Sequence, residues 1–143
     1  MFVKDLMTTD VVTVRADVTL RDAIRRMLAE GVGSVVVVDN DGNPGGIVTE
    51  TDALYAVYQA EAAPEDIDIL TVAHSPSLTA KPSMTVQTLA RKMDDENVDK
   101  APVMDDLDLV GMVTRTDIVG HLAEIRKEAT RLGQPHKEWD PEA

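Results

Sequence analysis

The spacing of hydrophobic positions alternates between helical periodicity and short continuous apolar runs. Apolar residues in 20–30 recur at helical spacing, which predicts an amphipathic helix that ends at Gly31. Residues 34–39 read S-V-V-V-V-D without polar alternation, which is typical of a strand buried on both faces. With strands at 11–14 and 47–49 and a second helix from residue 51, the predicted order is β-α-β-β-α.

The second half of the chain repeats this pattern. An offset of 66 residues pairs Thr19 with Thr85, and an offset of 65 pairs G-I-V-T-E-T-D (46–52) with G-M-V-T-R-T-D (111–117). Because the matches keep their order with one gap, we interpret the chain as two copies of one unit. A short leading segment precedes each copy, at 3–8 and 67–73. The predicted organisation is a first unit at 1–62, a second at 63–125 and a polar C-terminal tail at 126–143.

The second unit is predicted to have the same elements as the first. Its strands are expected at 78–80, 101–104 and 109–114, and its helices at 86–93 and 116–125.

Composition narrows the class of protein. The 14 Lys and Arg against 26 Asp and Glu give a net charge of −12, which argues against a nucleic-acid partner. The absence of cysteine excludes disulfides and thiolate metal sites. No apolar run reaches the ~18 residues of a membrane span, so we expect a cytoplasmic protein with no membrane partner.

The repeated pattern resembles a known family. The runs D-V-V-T-V, T-L-R-D-A, S-V-V-V-V-D and G-I-V-T-E-T-D-A-L resemble a cystathionine-β-synthase (CBS) domain, and the second unit resembles it again up to about residue 125. Two such domains in tandem form a Bateman module. The resemblance implies an α/β (α+β) fold in which two β-α-β-β-α units pack sheet to sheet with pseudo-twofold symmetry and leave two clefts between them. It also implies adenosine-containing ligands, such as AMP, ADP, ATP or S-adenosylmethionine, and a homodimer.

The repeated phrase Thr49-x-x-Asp52 has two interpretations. A Thr followed three residues later by an acidic residue is a capping box, which is common at helix starts. The same helix start offers N–H groups to a phosphate, and a carboxylate accepts both hydroxyls of a ribose. Because the phrase recurs at Thr114 and Asp117 and the resemblance implies adenosine ligands, we predict that at least one of the two Asp residues binds a ribose.

The resemblance also implies adenine contacts from the strand that opens each unit and from the strand after its first helix. These positions are 9–12 with 33–35, and 77–79 with 100–102; a role only in the core fits their Val and Leu side chains equally well. Glycine in the repeated phrase would let the backbone approach a ligand. The binding residues predicted from these segments are Val12, Ser34, Gly46, Thr79, Lys100, Ala101, Pro102 and Gly111.

The two copies differ in charge at corresponding positions. Glu50 corresponds to Arg115, and Ser34 corresponds to Lys100. We therefore predict two cations in the second cleft and an acid with a hydroxyl in the first, and tighter nucleotide binding in the second cleft. The alternative is that Arg115 is an ordinary surface residue of a helix.

The chain shows no catalytic motif. Its three histidines have no metal-ligand spacing, and it has no Gly-x-x-x-x-Gly-Lys phosphate loop. The sequence therefore predicts a non-catalytic regulatory module without a cofactor, which binds an adenine nucleotide or S-adenosylmethionine and signals to a protein that the sequence does not name. The alternative is a structural dimerisation adaptor with no physiological ligand. In either case we expect a homodimer through the second helix of each unit, at 53–57 and 118–125.

Overall fold

The computed structural model of the chain describes residues 1–133. The first half contains, in order, α1 (Val3–Leu6), β1 (Thr13–Arg15), α2 (Leu20–Glu30), β2 (Ser34–Val38), β3 (Pro44–Thr49) and α3 (Glu50–Gln59). Two 3-10 turns follow, at Pro64–Asp66 and Ile69–Thr71. The second half contains α4 (Val86–Glu96), β4 (Lys100–Asp105), β5 (Asp108–Thr114), α5 (Arg115–Gly120) and α6 (Leu122–Gly133). The mixed α/β class and the repeat are confirmed.

The ends of α2 follow from its sequence. Thr19 caps its start by accepting a hydrogen bond from the backbone N–H of Asp22, whose carboxylate accepts from the N–H of Thr19. Gly31 ends the helix with a φ of 66°, in the left-handed region where a residue with a Cβ is disfavoured. The predicted helix end at Gly31 is confirmed.

The two sheets differ by one strand. In the first unit β1 pairs parallel with β2, which pairs antiparallel with β3. In the second unit β4 and β5 pair antiparallel, but the strand predicted at 78–80 is reduced to one bridge between Ala80 and Val103. The N–H of Ala16 donates to Val38 in the first unit, whereas the corresponding residue of the second unit is Pro82, which has no N–H to donate. The pairing therefore cannot continue.

Each leading segment packs against the opposite unit. Val3 and Leu6 of α1 are buried in the core of the second unit, and Ile69 is buried in the core of the first. Backbone bridges hold each leading segment on the opposite unit, because Thr8 pairs with Met112 of β5 and His74 pairs with Ile47 of β3. The two units are consequently interlocked.

The two sheets face each other across a small apolar cluster. Val36 of β2 and Ile47 of β3 are buried there with Met112 of β5. Because residues of both sheets share this cluster, the sheet-to-sheet packing of the two units is confirmed. The surrounding volume between the units is where the clefts open.

The end of the described chain departs from the sequence prediction. The helix expected at 116–125 is broken at His121, and α6 then continues to Gly133, so residues 126–133 of the predicted polar tail are helical. Ile125 anchors α6 in the second core, and Glu128 pairs with the N-terminal ammonium of Met1. Trp139 and the rest of the predicted tail lie outside the described residues. Within residues 1–133 no helix combines the length and apolarity that crossing a membrane requires.

Candidate binding clefts

The larger cleft lies beside Thr114 and is called here the second cleft. It has a volume of about 780 Å³ and draws its lining from both units. Val12 and Ser34 come from the first unit, while Thr114 and Asp117 come from the second. The prediction that Ser34 belongs to the first cleft is therefore wrong, because the units face each other and each cleft combines the strands of one unit with the helix start of the other.

The smaller cleft lies beside Thr49 and is called here the first cleft. Its volume is about 300 Å³, and His74 and Ser77 line it opposite Thr49. Asp52 is absent from its described lining, whereas Asp117 does line the second cleft. The two predicted ribose acceptors thus have different access to a ligand.

Asp52 is held by three donors on one oxygen. Its Oδ2 accepts from the backbone N–H of Thr49 at 2.8 Å, from the hydroxyl of Thr49 at 2.8 Å, and from Nε2 of His74 at 2.7 Å. Burial acts to raise the pKa of Asp52, but the hydrogen bonds from Thr49 and His74 outweigh it and leave the pKa below its ordinary value. Asp52 is therefore an ionised carboxylate engaged by the protein itself.

Asp117 has fewer partners. Its Oδ2 accepts from the backbone N–H of Thr114 at 2.9 Å, and its own N–H donates to the Thr114 hydroxyl at 3.2 Å. No histidine contacts its carboxylate among the described hydrogen bonds, although Nδ1 of His121 lies 2.8 Å from its backbone carbonyl oxygen. The capping-box interpretation of the repeated phrase is confirmed in both units. A ribose role is compatible with this cap, because a carboxylate has lone pairs for more than one donor.

The predicted division of charge between the clefts is wrong in part. Glu50 and Lys100 each line both clefts, because they meet at the boundary where the two units touch. The Lys100 ammonium donates to the carbonyl of Gly33 at 3.0 Å. A Cβ placed on Gly33 would lie 2.6 Å from a Glu50 carboxylate oxygen and 3.1 Å from the Lys100 ammonium, so this glycine makes room for both charges. The boundary residues therefore act on both clefts.

Arg115 does line the second cleft, as the sequence predicts, but it is not free of partners. Its Nε lies 3.3 Å from a carboxylate oxygen of Asp99, and its Nη2 donates to the carbonyl of Val98 at 3.2 Å. Because half of the Arg115 side chain is exposed, these contacts are screened by water and exchange readily. A phosphate in the cleft would compete with Asp99 for the guanidinium.

Six residues predicted to bind ligand do not line either cleft: Asp52, as described above, and Gly46, Thr79, Ala101, Pro102 and Gly111. Ala101 is fully buried in the second core, and the space in front of Gly111 is filled by Met7, whose Sδ would lie 2.7 Å from an added Cβ. The space in front of Gly46 is filled in the same way by Ala73 and the His74 carbonyl. Close packing of the leading segments therefore explains these glycines without a ligand. Three of the six residues line a separate cavity of about 210 Å³ instead, namely Gly46, Thr79 and Pro102.

Sequence reasoning missed the role of His74. The spacing of the three histidines indicates no metal site, yet the repeat offset of 66 residues places His74 opposite Thr8. In the structure both residues pair with the corresponding strand of the opposite unit. Because Thr8 and His74 correspond, the sequence shows a titratable side chain in one copy where the other copy has a neutral one.

Two interlocked α/β units with paired clefts between their sheets define a tandem-repeat α/β module. Family comparison agrees with this class. The profile of the CBS domain matches residues 3–59 and again residues 66–124. The chain belongs to the CBS domain family, and the resemblance seen in the sequence is confirmed.

Known proteins extend this comparison. The uncharacterised protein MJ1404 of Methanocaldococcus jannaschii is 30% identical over 98% of this chain and 36% of its own length. The chain spans only 36% and 60% of the first two curated relatives it matches. The CBS domain protein PAE2072 from Pyrobaculum aerophilum, solved with AMP, is 25% identical, with a TM-score of 0.80 over 91% of this chain and 99% of that one.

A second solved structure carries two other ligands. The CBS domain pair of protein MJ0100, in complex with 5′-methylthioadenosine and S-adenosyl-L-methionine, is 25% identical, with a TM-score of 0.77 over 87% of this chain and 98% of that one. Neighbours with this fold therefore bind small molecules that contain adenosine.

Proposed function

We propose that the chain is a non-catalytic regulatory module that binds an adenosine-containing ligand in the second cleft and transmits its presence to a partner protein. The observation that carries this proposal is Asp117, a carboxylate with few partners in a cleft of about 780 Å³ lined by both units. Clefts of ~300–1,000 Å³ are the size range of small-molecule sites. The adenosine ligands of PAE2072 and MJ0100 support the choice of ligand class.

The proposed ribose contact is chemically specific. A carboxylate is an acceptor on both oxygens and can take the two neighbouring hydroxyls of a ribose. In the second cleft the Oδ2 of Asp117 takes one backbone donor, which leaves lone pairs for the sugar. The apolar side chains of Val12 and Met112 offer a surface against which an adenine can pack. Arg115 at the same rim supplies a cation for phosphate.

Regulation follows from the position of the cleft between the units. A ligand that contacts Ser34 of one unit and Thr114 of the other favours the relative arrangement of the two units that fits it best. A partner protein that binds one arrangement in preference to the other then responds to the ligand, and the coupling is reciprocal. The module needs no catalytic group for this task.

Dimerisation is favoured by a specific observation. Leu54 and Tyr58 of α3 are 73% and 84% exposed, and Leu28 of α2 is 79% exposed beside them. An apolar groove of about 510 Å³ runs between α2 and α3 and includes Leu28, Leu54 and Val57. A contiguous exposed apolar surface marks an interaction site. We therefore propose a homodimer through the second helix of each unit, α3 and α5. The alternative function, an adaptor with no ligand, would use this surface alone.

Binding to the folded state distinguishes the two functions. Adenosine, AMP, ATP and S-adenosylmethionine should each be tested for a concentration-dependent rise in melting temperature, because a ligand stabilises the native state by RT ln(1 + [L]/Kd). Equilibrium dialysis then gives the stoichiometry. A regulatory module gives a shift that weakens in the Asp117→Ala variant. An adaptor gives no shift with any of the four, while light scattering still reports a dimer.

A further inference from the structure

His74 stands between the first cleft and its ribose acceptor. Its Nε2 lies 2.7 Å from Oδ2 of Asp52, and its Nδ1 lies 2.9 Å from the carbonyl oxygen of Ser75. The backbone of His74 is itself fixed, because its N–H and carbonyl both pair with Ile47 of β3. The imidazole is therefore held at both ends over the carboxylate.

Both contacts require a donor on the ring. A peptide carbonyl only accepts, and an ionised carboxylate only accepts. A neutral imidazole has one N–H, whereas an imidazolium has two. The geometry is therefore complete only when His74 is protonated, and loss of the proton removes one of its two hydrogen bonds.

The charges around His74 agree with this protonation state. The Ser75 carbonyl raises the pKa of His74 most; burial opposes this, and Asp52 adds to the rise. Glu50 and Asp99 line the same cleft with negative charge, and Lys100 is the cation that faces them. The pKa of His74 therefore lies above its ordinary value, which favours the imidazolium.

The second unit has no counterpart to this contact. Thr8 occupies the position that corresponds to His74, and it makes the same backbone pairing with Met112. No side-chain hydrogen bond joins Thr8 to Asp117 among the described residues. Apart from the hydrogen bond from the Thr49 hydroxyl, the two predicted ribose acceptors thus differ by one side chain in the exchanged leading segment.

We propose that His74 is the residue that determines which cleft accepts an adenosine ligand: as imidazolium it occupies Asp52 and competes with the ribose, and it yields the first cleft to the ligand only when it loses its proton. This rests on the proposed function, because it assumes that a ribose uses these carboxylates. At acidic pH only the second cleft binds, and at alkaline pH both clefts bind.

The sign of the pH effect follows from the competition. Below the pKa of His74 the imidazolium holds Asp52, so adenosine must displace a charged partner and binds weakly. As pH rises through that pKa the ring loses its positive charge and one of its two hydrogen bonds, so its attraction to Asp52 weakens and affinity at the first cleft increases. Each pKa unit by which Asp52 stabilises the imidazolium corresponds to about tenfold in affinity.

The test isolates the first cleft. The full chain carrying Asp117→Ala is titrated with adenosine by calorimetry at about pH 5.5 and pH 8.5, since adenosine has no phosphate to interact with the ring. The matched control adds His74→Thr, the residue that the other unit already has at this position. We expect roughly severalfold to tenfold weaker binding at the lower pH for Asp117→Ala. With His74→Thr the pH dependence should disappear and the affinity at low pH should rise.

A ligand-free measurement checks the pair itself. The ring titration of His74 is followed by NMR in the native chain and in Asp52→Asn, where we expect the pKa of His74 to fall. An unchanged ring titration overturns the proposal, and so does a first cleft whose adenosine affinity is the same with His74 and with Thr, whether both bind or neither does. Absence of adenosine binding by the native chain at both pH values, with the expected ring titration, refutes the proposed function instead.

Discussion

The two clefts come from the same repeated phrase, yet they present it differently. Beside the first cleft, Oδ2 of Asp52 accepts hydrogen bonds from Thr49 and His74, whereas Asp117 lines the second cleft, which has a volume of about 780 Å³. Both units have a capping box, and the segment that the first unit receives from the second adds His74 to one of them only. Duplication of a unit therefore supplies two clefts, and the exchanged segment makes them unequal.

Removal of the Asp117 carboxylate should have the largest effect. Asp117→Ala is expected to weaken adenosine or AMP binding by about 1.5–3 kcal/mol, the range for a lost hydrogen bond to a charged group. Asp52→Ala is the matched control and should change affinity much less at neutral pH. Calorimetry on both variants checks the comparison. Equal losses from both variants would show that the clefts bind alike.

A substitution that disturbs the packing of the leading segment at 3–8 should have the next largest effect. Gly111→Ala should lower the free energy of unfolding by about 1–3 kcal/mol, because its Cβ would lie 2.7 Å from Sδ of Met7 and 3.1 Å from the Thr8 carbonyl. Gly120→Ala is the control, since nothing lies within 4 Å of its added Cβ. Urea denaturation measures both. A Gly111→Ala variant as stable as the native chain would contradict this account of the glycine.

Much of this architecture was predictable from the sequence, because periodicity and the repeat depend on residues close in the chain. Helix α2, with its cap at Thr19 and its end at Gly31, follows from local rules. The shortened strand near Ala80 was recognisable only once the structure showed that Ala16 donates a hydrogen bond that Pro82 cannot. The local sequence pattern does not reveal that a backbone N–H donor is missing until the partner strand is known.

The candidate site was predictable only in part for the same reason. The residues of the repeated phrase are correct as a cap, but the assignment of Ser34 and Lys100 to separate clefts failed because the lining comes from both units. Gly46 and Gly111 allow the leading segments to pack closely against the strands, and they do not make space for a ligand. Contacts between segments 22 or more residues apart, such as His74 with Asp52, depend on the exchange of segments, which periodicity does not encode.

Charge reversal should have a moderate effect that depends on salt. Arg115→Glu is expected to weaken AMP binding by about 1 kcal/mol at low ionic strength and by less at physiological salt, because exposed charges are screened. Glu50→Arg should strengthen AMP binding at both clefts, since Glu50 lines both. Titrations at two salt concentrations check this. An effect of Glu50→Arg confined to the first cleft would restore the division of charge that the sequence alone suggests.

The stability contribution of the His74–Asp52 pair should be the smallest effect. His74 has a pKa above its ordinary 6.5, so its contribution is present below that value and is lost as pH rises through the raised pKa. Asp52 has a pKa below its ordinary 3.8, so its contribution is present above that value and is lost as pH falls through the lowered pKa. The pair is therefore intact between these limits.

Because the His74 side chain is 46% exposed, the pair should contribute only about 0.2–1 kcal/mol. Urea denaturation of the native chain and His74→Thr across pH 5 to 9 should show a difference that shrinks at high pH. A difference that grows with pH would contradict the assignment of the imidazolium.

The most direct test of the inequality between the clefts is a crystal structure of the chain grown at about pH 6 with AMP. The account predicts electron density for the nucleotide in the second cleft, with its ribose hydroxyls on the carboxylate of Asp117, and His74 still in contact with Asp52. Nucleotide found only in the first cleft, with its ribose on Asp52 and His74 displaced, would contradict it.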